Sequence, residues 1–132
     1  RHRQGASFGG NKLRAGKIAT SLRRRSLSET NKTRVMYVFT PAPFLAPLLC
    51  THWIALLAEG LIVSLLKRDS RLWNAVYWPA LCIVPQTRRF LRPLRRRAGR
   101  DRTLSSCAFF SAFVPWPRKL SLLLRHGLPD IR

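Results

Sequence analysis

The sequence predicts a mainly α-helical chain, and three observations carry that expectation. Residues 44–66 read FLAPLLCTHWIALLAEGLIVSLL, a stretch without a single cation. Farther on, Leu72, Trp73, Val76, Tyr77, Ala80, Leu81 and Val84 recur at three- and four-residue spacing, which is the spacing of one helical face. No run of alternating apolar and polar residues is long enough to indicate a strand.

The elements follow in order. The first residues are loop-like, with Gly5, Gly9 and Gly10 permitting tight turns. A helix is expected over residues 26–39. Ser28 suits its N-cap and Glu29 its positive end, while Val35, Met36 and Phe39 share a face. Pro41 and Pro43 then end or bend it.

At about 1.5 Å per residue, the stretch 44–66 is long enough to cross a hydrocarbon core of about 30 Å. Twelve of its residues are Leu, Ile, Val or Phe, worth roughly −4 to −7 kcal/mol of insertion against about +3 for a central carboxylate such as Glu59. Insertion is therefore marginal. His52 and Glu59 are seven residues apart and share a face. That strip packs against protein while leucines face lipid, or the whole is a buried helix with one paired acid.

A third helix is expected from Asp69 or Ser70 as cap, with Pro79 and Pro85 limiting its regularity. Trp53, Trp73, Tyr77 and Trp78 are aromatics of the kind that favour a lipid–water boundary, although the same stripe also builds a packed core. Residues 88–102 hold eight arginines in fifteen positions. Each is worth about 1 kcal/mol beside an anionic leaflet, so Arg88, Arg89, Arg92, Arg95, Arg96 and Arg97 are candidate membrane contacts. The same residues would suit nucleic-acid phosphates, or a solvated tail with no partner.

Twenty-five Lys and Arg face five Asp and Glu, for a net charge of +20 at pH 7. Self-repulsion of that size opposes compaction and calls for an anionic partner. The cations are partitioned: ten lie in residues 1–34, none in 35–66 and fifteen in 67–132. A neutral apolar block between basic flanks is the pattern of a segment meeting lipid with both ends held at headgroups. Cys50, Cys82 and Cys107 are too widely spaced for a zinc knuckle or redox dithiol, and Cys50 and Cys82 read as small apolar core residues. The chain opens with Arg1, and its one methionine is Met36, as expected of a piece of a longer protein.

Catalytic groupings are missing. The nearest two acids, Glu59 and Asp69, are ten positions apart, so paired carboxylates have no local basis for acid–base work. No Asp-x-Asp, His-Glu pair, Ser-His-Asp set or Gly-rich phosphate loop can be assembled. The chain alone lacks catalytic residues.

One segment is more specific. His2-Arg3-Gln4-Gly5-Ala6-Ser7-Phe8-Gly9-Gly10 resembles the His-x-x-Gly-x-Ser stretch that closes the catalytic domain of family 2 glycosyltransferases, especially bacterial rhamnosyltransferase-like members. Ser28-Glu29-Thr30-Asn31-Lys32-Thr33-Arg34 resembles that family's Glu-Arg-Asn-Arg helix start, with Thr30 and Lys32 as departures. An apolar helix, an aromatic helix and an Arg-rich end follow in the family's order, so the resemblance spans residues 1 to about 105.

The resemblance implies the helical C-terminal segment of an α/β, GT-A type glycosyltransferase whose catalytic half is absent from this chain. It implies residues 1–25 as the end of the catalytic domain and 26–105 as a helical membrane-associating region with an Arg-rich end; residues 106–132, outside the resemblance, are a tail of unknown structure. His2 would help hold a divalent metal, Mn or Mg, in the parent enzyme, because imidazole is a sound ligand and the metal offsets diphosphate charge. Ser7, Glu29, Asn31 and Lys32 would lie on the substrate side. Its partners would be an upstream catalytic domain, a nucleotide-sugar donor and an anionic membrane surface, at the cytoplasmic face of a bacterial inner membrane, peripheral or single-span. Two alternatives stay open: a small basic RNA- or membrane-binding protein without activity, and a spurious or degraded reading frame.

Overall fold

The computed structural model describes residues 12–14, 17–111 and 130–131. The glycine-rich segment with His2 and Ser7 lies outside the described residues, as does most of the tail. The protein is mainly helical. Two short extended segments, β1 (Lys12–Arg14) and β2 (Lys17–Thr20), pair antiparallel, and β3 (Asp130–Ile131) joins β2 in parallel. Two long helices follow, α1 (Leu22–Phe39) and α2 (Ala42–Lys67). Then α3 (Ser70–Leu72), a widened π turn (Trp73–Tyr77) and α4 (Trp78–Arg100) form a third continuous helical rod. The short α5 (Ser106–Ser111) follows it.

Helix α1 begins one turn earlier than its apolar spacing suggests, so Ser28 is not its cap. Ser21 is: extended itself, it accepts the Arg24 N–H at 3.3 Å, satisfying one of the donors that a helix start leaves open. The run Arg23-Arg24-Arg25 reads as loop only by its charge, since arginine is a good helix former. The boundary expected between residues 25 and 26 thus falls inside α1, and Glu29, Asn31 and Lys32 sit mid-helix rather than at a helix start.

Pro41 separates α1 from α2 by taking the N-cap position of the latter. The other end of α2 is closed by Arg68 in the left-handed conformation, φ 50°, while Asp69 N–H donates to Ser64 O at 3.1 Å. Asp69 then caps the third rod as its sequence predicts, accepting the Arg71 N–H at 2.9 Å. That rod is more continuous than its prolines suggest, for it runs through Pro85 and Pro93. The widened turn lies just ahead of Pro79, whose ring would otherwise press on the carbonyl one turn back.

The three rods run up, down and up. Leu22 at the start of α1 packs on the cluster of Leu56, Val76, Tyr77 and Ala80, whereas Val38 near its end packs with Val84 and Leu91. Helices α1 and α4 therefore point the same way and pack directly on each other, with α2 running back alongside α1 and the widened turn. Val76, Tyr77 and Ala80 are fully buried; burying such side chains contributes roughly 1.5–3 kcal/mol each for the larger ones. Leu49, Leu56 and Val63, seven residues apart, form the inner edge of α2. Cys50, expected in the core, is exposed beside that edge; Cys82 is half-buried, and all three cysteines are free thiols.

Gly60 sets the closest approach between α2 and the third rod. A Cβ there would stand 2.8 Å from Tyr77 Cγ and 2.9 Å from Trp73 Cζ3, nearer than van der Waals contact permits. Gly60→Ala is expected to lose about 1–3 kcal/mol of stability by overpacking. The gain of up to about 1 kcal/mol in helix propensity does not offset this, because both neighbours are rings that must shift together. A denaturant-midpoint comparison checks it.

Candidate functional site

Two groups of polar side chains stand out: one inside the helical bundle, the other along α4. The inner group joins all three rods. Glu59 on α2 accepts from the Arg25 guanidinium of α1 and from the Tyr77 hydroxyl at 3.3 Å. Arg25 Nε also lies 3.4 Å from Glu29, which receives Lys32 Nζ at 3.0 Å. Two carboxylates thus meet two cations. Glu29 is completely buried, a position that a charge occupies only when paired.

One turn along, the Thr33 hydroxyl donates to Glu29 O at 3.0 Å and lies 3.0 Å from His52 Nε2. A hydroxyl has one proton to give, so the second contact requires a proton on His52 Nε2. His52 and Glu59 therefore both turn inward, as the seven-residue spacing predicts. The network is assembled from side chains that hold helices together, and Glu29 has no solvent exposure.

Burial shifts the ionisation of two members. The Tyr77 phenol is pushed well above its ordinary value, first by loss of solvent and then by the Glu59 charge. For Arg25 burial works against the charged form, but Glu59 and Glu29 outweigh it and hold the guanidinium above its usual range. A phenol whose folded-state pKa is raised stabilises the fold fully below pH ~10, and that contribution is lost as pH rises toward the folded value. Tyr77→Phe is expected to be less stable than the parent at pH 7, by about 1.5–3 kcal/mol for a hydrogen bond to a charged group. The gap should narrow between roughly pH 10 and 12, as followed by denaturant midpoints.

The second group lines the end of the bundle where α1 stops and α2 starts. Arg95 donates to Tyr37 O and to Thr40 O, the latter at 2.9 Å, and its guanidinium lies 5.6 Å from the centre of the Tyr37 ring. Arg102 donates to Phe39 O at 2.6 Å and stands 5.6 Å from the Phe109 ring centre. Open carbonyls at a helix C-terminus carry partial negative charge, and here two arginines satisfy them. Arg92 and Arg96 are exposed beside them and help wall a groove of about 650 Å³; a second depression of about 510 Å³ adds Arg88 and Arg89. Arg97 points elsewhere, 3.6 Å from Asp101.

The other expected site residues separate clearly. Tyr77, expected at a lipid boundary, is instead buried with Val76 and Ala80, its hydroxyl donating to Glu59; of the two readings of that stripe, the packed core is the one it takes. Trp53 and Trp73 are half-buried, with the Trp53 indole N–H fully inside, and Trp78 is exposed. Asn31 is exposed and accepts from Arg34 at 3.4 Å, whereas Glu29 and Lys32 belong to the inner network. Sequence reasoning missed Arg25, which looks like one member of an exposed arginine run. It also missed the anchoring role of Arg95; the i, i+3 and i+4 pattern relative to Leu91 was the available signal.

Helix α2 is long and apolar enough to cross a membrane by length and composition. Its face away from the bundle is largely apolar, with Thr51 as a polar member: Ile54, Leu57, Leu61, Ile62, Leu65 and Leu66 are all exposed, Leu65 by 73%. Among the described residues, no group of His, Cys, Asp or Glu could hold a metal ion.

No family model, curated protein or solved structure matches this chain. The functional reading therefore rests on the residues and their geometry.

Proposed function

We propose that this chain is the membrane-docking helical end of a glycosyltransferase, inactive alone, whose parent transfers a sugar from a nucleotide-activated donor to a glycan or lipid-linked acceptor. The observation that carries the docking is the two-sided build of α2. Its polar residues His52 and Glu59 are engaged with α1, while six large aliphatic side chains cover its outer face. So large an apolar stripe on a chain of charge +20 suits an anionic bilayer, where apolar burial and basic attraction add.

Docked, α2 lies in the interface rather than crossing it. Helix α1 is joined to α2 through both Arg25–Glu59 and Thr33–His52, so a span would draw α1 into hydrocarbon. Lys32, exposed near the middle of α1, would cost about 2.5–3.5 kcal/mol at mid-depth. The sugar-transfer part of the reading rests on the resemblance of residues 2–10 and 28–34 to family 2 glycosyltransferases. In that reading a divalent metal would be held partly by His2.

Flotation tests the docking. The chain is expected to rise with vesicles containing phosphatidylglycerol at 0.15 M salt (an ionic strength at which the Debye length is about 8 Å) and to remain bound when RNA is in excess. Transfer to RNA, with a steep salt dependence, would replace this reading with that of an RNA-coating protein. For the parent activity, the coding sequence ahead of Arg1 is expected to hold a nucleotide-binding βα half with an Asp-x-Asp; a different fold there would end the glycosyltransferase reading.

A further inference from the structure

The arginine-lined groove differs from a solvated cationic face in how its charges are fixed. Arg95 and Arg102 are held by backbone carbonyls of α1 and by aromatic rings, so their positions are set before any ligand arrives. Each guanidinium has five N–H donors, and the bonds to carbonyls use only part of them. Arg92 and Arg96, one turn apart on α4, complete the wall. Among the described residues no carboxylate lines either depression. Four like charges gathered without a counter-charge repel one another, and a multivalent anion removes that cost.

Space is available as well. Gly99 lines the groove, and a Cβ at that position would touch nothing within 4 Å. The first residue of α2, Ala42, also faces the groove, adding the positive end of a 26-residue helix dipole. Planar guanidinium groups match phosphate oxygens two at a time.

We infer that this groove is a binding site for a phosphomonoester or diphosphate group, with Arg92 and Arg96 as the contacting pair and Arg95 and Arg102 as fixed walls. The inference does not rest on the docking of α2: that reading stands on the exposed aliphatic face of α2, this one on the arginines fixed along α4. The ligand is either a soluble phosphate compound or the headgroup of a lipid.

Calorimetry on the full chain, at fixed ionic strength, separates this site from general charge. Inorganic pyrophosphate is expected to bind at least about tenfold tighter than sulfate. Arg92→Ala with Arg96→Ala should remove that preference, while Arg23→Ala with Arg24→Ala, which deletes equal charge on α1, should leave it. Gly99→Trp, which fills the groove and keeps every arginine, should also remove it, so the result does not depend on charge loss alone. A parallel arm uses vesicles bearing phosphatidic acid or phosphatidylglycerol at equal charge. Preference for phosphatidic acid that is lost in the Arg92/Arg96 variant assigns the site to a lipid headgroup; pyrophosphate binding without it assigns a soluble ligand. Equal affinity for pyrophosphate and sulfate together with no preference between the two lipids, or equal losses in the two double variants, would overturn the proposal, even with flotation on phosphatidylglycerol intact.

Discussion

Arg25→Met is expected to lower the unfolding free energy by about 2–4 kcal/mol, toward the lower end of what removing one partner from a buried ion pair costs, because Arg25 and Glu59 keep some exposure while Glu29 has none. Arg25 sits between Glu29 and Glu59, on two different helices. Without it the two carboxylates retain Lys32 and the Tyr77 hydroxyl as partners, which leaves the α1–α2 junction without its shared cation. The loss should be larger than that from Arg23→Met on the exposed side of the same helix, which surface substitutions limit to about 0.5 kcal/mol. Adding Glu59→Leu to Arg25→Met should restore part of the stability, because an apolar pair of similar volume can replace a buried ionic one. Urea midpoints of the parent, Arg25→Met, Glu59→Leu and the double variant give the coupling directly. Equal effects of Arg25→Met and Arg23→Met would mean that the network contributes nothing beyond an exposed charge.

Leu61→Glu combined with Leu65→Glu is expected to weaken binding to phosphatidylglycerol vesicles by at least about 100-fold. Each leucine forgoes roughly 1.5–3 kcal/mol of burial, and each new carboxylate is repelled by the anionic leaflet, whereas every 1.4 kcal/mol is tenfold in affinity. Both side chains are more than half exposed in the folded chain, so the denaturant midpoint should move little. That combination, binding lost and folding kept, is what separates a lipid-facing surface from a core. Unchanged vesicle binding would place the contact elsewhere, most simply on the α4 arginines alone.

Local pattern was enough to read the helices but not their partners. The cation-free stretch and the Asp69 cap are visible in residue type, and the shared inward face of His52 and Glu59 in their spacing, because a helix repeats every 3.6 residues. The start of α1 was hidden by its own charge, since three successive arginines give no apolar stripe although they extend a helix well. Tyr77 was legible as a member of the Leu72–Val76–Ala80 face, which is the face found buried; spacing alone did not say whether that face met lipid or protein. Arg25 and Arg95 share a further difficulty. Their partners are 34 and 55 or more residues away, a distance at which sequence alone does not say which arginine of a run is chosen.

The five-residue turn from Trp73 to Tyr77 governs more than the placement of one tyrosine. Each residue in a helix advances the azimuth by about 100°, so a single surplus position re-aims everything downstream. Arg95 meets the end of α1, and Arg92 and Arg96 flank it, only because that offset is present. Shortening the turn by one residue would swing the whole basic half of the rod about its own axis by over a quarter of a revolution. The bearing of the cationic wall is thus fixed some twenty residues upstream, by how an aromatic ring seats beside Gly60.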